Sequence, residues 1–265
     1  MKPRVLVPLL AGLLAACGEE PELPPIVWEG EHLRFGTNAD DSTICAGTLP
    51  YLDEVVGHLG EVFGRPEAVV DYHWVPEGTA EFCETEAMGC STEQGAFSRY
   101  VIHQHELIHA VRHPSRLYQP LEEGLAEAFG DDWDPPPYPF EGKIGDILRN
   151  PGNYFPGSGY AVVGHFVSYL RAVHGLEPLL ELDARTDYES SFSGTEAAFS
   201  AAFGVSLDDA IADYETTYPR CPMRAYRDKA VDCSRNVLPA PAAFDEQVER
   251  VVPLACDDPT VLGPR

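Results

Sequence analysis

Apolar residues along this chain recur mostly at the three-to-four-residue spacing of amphipathic helices, with two short runs that read as strands instead. Leu52, Val55, Leu59 and Val62 form one helical stripe, opened by Thr48 and ended by Gly64. Val101, Leu107, Ile108, Ala110 and Val111 form a second, stopped by Pro114, and Leu121, Leu125, Ala126 and Phe129 form a third. A fourth starts at Ser158 and ends at Gly175, with Val163, Phe166, Val167, Leu170 and Val173 as its buried side. Shorter helices are predicted over 177–184, 193–203 and 206–217, the last opened by Ser206 with Asp209 in a capping-box arrangement. The strand-like runs are Ile26–Phe35, which alternates, and Val69–Val75, which is rich in β-branched and aromatic residues. Residues 76–98 read as loop. The pattern predicts an α+β fold, a small N-terminal sheet followed by a mainly helical part.

The ends differ from this middle. Lys2 and Arg4 precede an apolar run, Val5 to Ala16, that is too short for an ordinary membrane span. Leu14-Ala15-Ala16-Cys17-Gly18 resembles a bacterial lipobox, which implies cleavage before Cys17 and lipidation of that residue. The expected product is an exported protein, lipid-anchored to a bacterial membrane, at the outer membrane or on the periplasmic face. Residues 17–25 (CGEEPELPP) read as a tether, 26–218 as the folded domain and 219–265 as a Cys-containing appendage. Cys83–Cys90, Cys221–Cys233 and Cys45–Cys256 are the expected disulfides of such an exported chain.

Charge narrows the partners. The net charge is −25, and removing residues 1–16 leaves 16 basic against 43 acidic residues. Such a surface argues against nucleic acid, whose phosphates need a basic footprint. A monomer is expected.

The chemistry concentrates in the second and third stripes. His105-Glu106-Leu107-Ile108-His109 is an H-E-x-x-H pattern. On a helix, positions i and i+4 share a face, so both imidazoles can reach one ion, while Glu106 is rotated away to meet water on that ion. Zinc suits such a site, and a catalytic zinc needs a third protein ligand plus an open position. Glu123 and Glu127 share a face of the following helix, among apolar neighbours that imply burial, where unpaired carboxylates are costly. Glu123 is read as the third ligand and Glu127 as an acceptor for a ligand histidine. Arg112 and Ser115 stand where a metzincin would need Gly and His, and His113 is too far along the axis from His105 to join the ion comfortably. His103 faces away and reads as structural, and His73 as a strand surface residue. Asp131, Asp132 and Asp134 could bind Ca²⁺, but the prolines after them favour a rigid surface loop.

HELIHAV followed by LEEGLAEAF resembles the gluzincin metallopeptidases, the thermolysin-like superfamily with its peptidase-MA-like bacterial members. The likeness extends to Gly159–Phe166 (GYAVVGHF) and Ala198–Gly204 (AFSAAFG), and covers about residues 95 to 217. It implies a zincin-like fold, with His105, His109 and Glu123 on Zn²⁺ and Glu127 supporting a histidine. The spacer between His109 and Glu123 is shorter than in that family, so Glu127 stays open as the alternative ligand. It also implies peptide-bond hydrolysis of a peptide or protein substrate, with Glu106 as general base and the Tyr160 phenol on the oxyanion. His165 is a second, weaker candidate for that last task. The competing expectations are a surface lipoprotein using the scaffold only to bind, and a zinc hydrolase of non-peptide substrates.

Overall fold

The computed structural model describes residues 21–83, 85–130, 142–157 and 159–217. Five strands form one mixed sheet in the order β1-β2-β3-β5-β4. β1 (Ile26–Glu29) runs antiparallel to β2 (Leu33–Thr37), which is parallel to β3 (Val70–Trp74). β3 is parallel to β5 (Gly95–Ser98), and β4 (Gly89–Thr92) closes the far edge antiparallel to β5. Eight helices complete the described fold: α1 (Thr48–Val62), α2 (Gln104–Arg112), α3 (Gln119–Phe129), α4 (Ile144–Arg149), α5 (Gly159–His174), α6 (Glu177–Asp183), α7 (Phe192–Phe203) and α8 (Leu207–Thr217). Among the described residues no helix is long and apolar enough to cross a membrane.

Alternation along the strands divides the sheet into two faces. Leu33, Phe35, Val70, Tyr72, Trp74 and Ala96 join the core with α1 residues Leu52, Val56 and Leu59 and α2 residues Leu107, Ile108 and Val111. The crossover helix α1 links the parallel strands β2 and β3. Its buried stripe includes Val56, whereas Val55 and Val62 are only half-buried. On the opposite face His73 stacks on Phe97, which stacks on Phe82. Pro24 is buried and the Pro25 carbonyl accepts from the Thr37 amide, so packing already begins within the stretch read as a tether.

Several local expectations differ from the structure. The run Ile26–Phe35 is a hairpin, not one strand, because the chain reverses over Gly30 to His32. Asp53 on α1 accepts the amides of Glu31, His32 and Leu33 and fixes that turn. The segment 76–98 contains β4 and β5, tied to the preceding loop by the Cys83–Cys90 disulfide. His73 is buried, and burial holds its pKa below the ordinary value. Val173 is exposed, since α5 rotates it away one turn after Leu170. Cys45 is disulfide-bonded, while its expected partner Cys256, the Cys221–Cys233 pair, the Asp131–Asp134 loop and Cys17 lie outside the described residues.

α3 and α5 lie close together because each presents a glycine to the other. A Cβ at Gly124 would come within 2.8 Å of the Val163 carbonyl, and one at Gly164 within 2.6 Å of the Glu127 Cβ. This contact sets the depth of the helix bearing Glu122, Glu123 and Glu127. Gly164→Ala should therefore cost about 1–3 kcal/mol of stability through overpacking. Urea denaturation of the variant checks this; an unchanged midpoint would contradict the tight contact.

Candidate metal centre

α2 (Gln104–Arg112) follows the cap residue His103, whose ring accepts or donates at the Ser98 hydroxyl 2.9 Å away, and ends before Pro114. Arg65 donates to the carbonyls of Val111 and His113, satisfying acceptors that a helix leaves open at its C-terminus. α3 starts with Pro120 in its first turn, where the missing N–H costs nothing, and runs alongside α2. These two helices carry His105, Glu106, His109, Arg112, Glu122, Glu123 and Glu127.

The structure brings His105, His109 and Glu123 together. His105 Nε2 lies 3.2 Å from Glu123 Oε2, His109 Nε2 lies 3.1 Å from His105 Nε2, and His109 Nε2 lies 3.4 Å from Glu123 Oε2. Ligand atoms about 2.0–2.1 Å from a tetrahedral zinc stand about 3.3–3.4 Å apart along each edge. The observed triangle has that size. The donor chemistry also fits, two imidazoles and one carboxylate.

The other ring nitrogens explain why these atoms face inward. His105 Nδ1 is 3.2 Å from Glu127 Oε1, and His109 Nδ1 is 3.3 Å from Glu122 Oε1. Each carboxylate accepts an Nδ1 proton, which fixes the tautomer with Nε2 as a lone-pair donor. Glu127 thus stands behind His105, and Glu122, which sequence reasoning did not single out, stands in the same way behind His109. Glu122 is 1% exposed and is gripped by Arg112, itself 3% exposed, with Arg112 Nη2 2.9 Å from Oε2 and Nε 3.1 Å from both oxygens. Ser115 donates to the same carboxylate at 2.7 Å, and Asp183 lies 3.6 Å from Arg112. A signal was present: two adjacent glutamates in an otherwise apolar helix, with an arginine one turn past His109.

Glu106 is buried between α2 and the edge strand. A Cβ at Gly89 would stand 2.6 Å from its Cγ and 2.9 Å from its Oε1, so only glycine leaves this carboxylate its place. The Tyr160 ring sits edge-on to His105 at 5.8 Å and is backed by Phe155 at 4.8 Å. Tyr188 was not anticipated. Burial, and then the Glu123, Glu122 and Glu106 carboxylates, raise the pKa of its phenol above the ordinary value. His165 is not part of the centre; it is buried with Nδ1 2.7 Å from the Tyr214 hydroxyl. His113 caps the far end of α2.

Electrostatics reflect the crowd of carboxylates. Burial opposes the charged form of both imidazoles, yet Glu123 and Glu122 raise His109 to about 10, and Glu123, Glu127 and Glu106 raise His105 well above its ordinary value. Burial likewise opposes ionised Glu122 and Glu123, but Arg112 and His109 lower Glu122 to about 2, and His109 and His105 lower Glu123.

Fold and site together define a mixed α/β domain with a His–His–Glu cluster able to hold one divalent cation. Compared with protein-family models, curated proteins and solved structures, the chain matches none.

The pKa directions fix a pH dependence. A raised histidine stabilises the metal-stripped fold below its ordinary 6.5, and that contribution is lost as pH rises toward 10. The lowered Glu122 contributes above 4.5, and that is lost as pH falls toward 2. Chelator-stripped protein should therefore be most stable between these ordinary values, and zinc uptake near neutral pH should release protons and tighten as pH rises. Calorimetry in buffers of differing ionisation enthalpy counts those protons; uptake with no release would contradict the assignment.

Proposed function

We propose that this protein is a zinc metallopeptidase of the zincin type, related in design to the gluzincins, with His105, His109 and Glu123 as the metal ligands. The observation that carries the reading is the ligand triangle with its 3.1, 3.2 and 3.4 Å edges. Glu123 rather than Glu127 takes the ligand role in it, because Glu127 is engaged with the far nitrogen of His105. Bound there, zinc would supply a Lewis acid that polarises a carbonyl and makes water acidic.

The chain's own residues supply the rest. Glu106 takes a proton from the attacking water and delivers it to the leaving amine, a role suited to a carboxylate pinned beneath Gly89. Glu127 and Glu122 hold the imidazoles in one tautomer and orientation. The Tyr160 phenol, beside His105, donates to the charge that develops on the carbonyl oxygen. β4 pairs only with β5 among the described residues, so its outer edge can take an extended peptide by strand addition. Together with the export signal and Cys17 in the sequence, this describes a lipid-anchored peptidase of the bacterial cell envelope.

Glu106→Gln should keep its zinc and lose about 10²–10⁴-fold in peptide hydrolysis. Metal analysis alongside a fluorogenic peptide or casein assay checks this. Normal cleavage by that variant would overturn the role of Glu106, and absence of cleavage by the zinc-loaded parent would overturn the peptidase reading.

A further inference from the structure

Two large apolar side chains remain exposed side by side at the edge of this centre. Met88 is 44% exposed and Tyr100 38% exposed, and the Tyr100 hydroxyl lies 3.5 Å from the Met88 sulfur. The Tyr100 ring meets the His103 ring edge-on at 5.6 Å. His103 in turn lies face to face with His105, their centroids 6.1 Å apart. A row of thioether and rings thus leads from the surface to the first histidine of the cluster.

The row is held from below. Ser98 Oγ bonds His103 Nδ1 at 2.9 Å and accepts the Tyr100 amide at 3.0 Å. The Tyr72 hydroxyl donates to the Tyr100 carbonyl at 2.7 Å, and the Arg99 amide to the Met88 carbonyl at 2.9 Å. Only side chains are left outward. Met88 also leads directly into β4, whose first residue, Gly89, approaches both His103 and Glu106 so closely that a Cβ there would stand 2.8 Å from His103 Nδ1. The row, the start of the edge strand and the carboxylate of Glu106 therefore meet at one place. Arg99, between Ser98 and Tyr100, is paired with Glu86 at 3.5 Å.

We propose that Met88, Tyr100 and His103 form a subsite for an apolar side chain of an extended peptide laid along β4, at a residue next to the reacting bond. A flexible thioether and a partly exposed ring accommodate aromatic or branched aliphatic groups of varied shape. Acidic side chains are disfavoured by Glu106 and Glu123 behind the row. The assignment of "next to the reacting bond" rests on the peptidase reading; the apolar preference does not.

The test measures binding. Fluorescence anisotropy follows labelled, alanine-rich peptides on zinc-loaded full-length Glu106→Gln protein, with a single Phe, Leu, Lys or Asp moved position by position. Phe or Leu at one position should tighten binding about tenfold over Ala. Met88→Ser combined with Tyr100→Ser should abolish that gain, while Tyr100→Phe should retain it. Equal affinities for all peptides, a preference for Lys, a gain that survives the double substitution, or no binding of any peptide would each overturn the subsite. Selective binding together with uncleaved peptides in the parent protein would support the subsite and contradict the peptidase reading.

Discussion

Two imidazoles, each with its outer nitrogen held by a buried carboxylate, are the constraint on which this structure depends. Glu127 takes the Nδ1 side of His105 and Glu122 that of His109. The inner nitrogens have only each other and Glu123 to face, within 3.4 Å. Lone pairs converging at that distance repel unless a cation or extra protons stand between them. Without a cation, protons on the two histidines would perform this task, and the surrounding carboxylates raise both pKa values in that direction. A divalent cation held by the same three residues would take their place.

The fold can be understood as the means of holding that arrangement. Glu106, Glu122 and Glu123 are all buried, and buried carboxylates are costly without partners. Arg112 is the only guanidinium that reaches them among the described residues, and it is committed to Glu122. Its grip makes Glu122 a fixed acceptor, while Glu123 faces the inner nitrogens of both histidines. Position is then set by glycines. Gly124 and Gly164 let α3 lie against α5, and Gly89 lets the edge strand pass over Glu106. The same close approach brings the exposed Met88 and Tyr100 beside the centre.

Much of this was legible in the sequence, for reasons that can be named. The convergence of His105 and His109 on α2 was readable because i,i+4 spacing maps onto one face whatever the tertiary context. Its partner helix was readable because carboxylates among Leu121, Leu125 and Ala126 have few other reasons to exist. Glu122 was hidden by its neighbour: the outer and inner carboxylates are adjacent in sequence, and only the turn between α2 and α3 decides which faces which nitrogen. The role of Arg112 was hidden because nothing local announces a buried partner ten residues on. Strands β4 and β5 were missed because they are four residues each and contain glycine, serine and threonine instead of a β-branched apolar run. His73 was misplaced for a related reason, since a sheet covered on both faces removes the alternation that marks an outward residue.

The central claim is that one divalent ion sits at the meeting point of His105, His109 and Glu123. X-ray absorption at the zinc edge, with metal stoichiometry on the purified protein, addresses it most directly. The account predicts one zinc per chain in a shell of nitrogen and oxygen donors about 2.0–2.1 Å away, lost or greatly weakened in Glu123→Ala. A sulfur-dominated shell, or full zinc occupancy with an unchanged spectrum in Glu123→Ala, would contradict it.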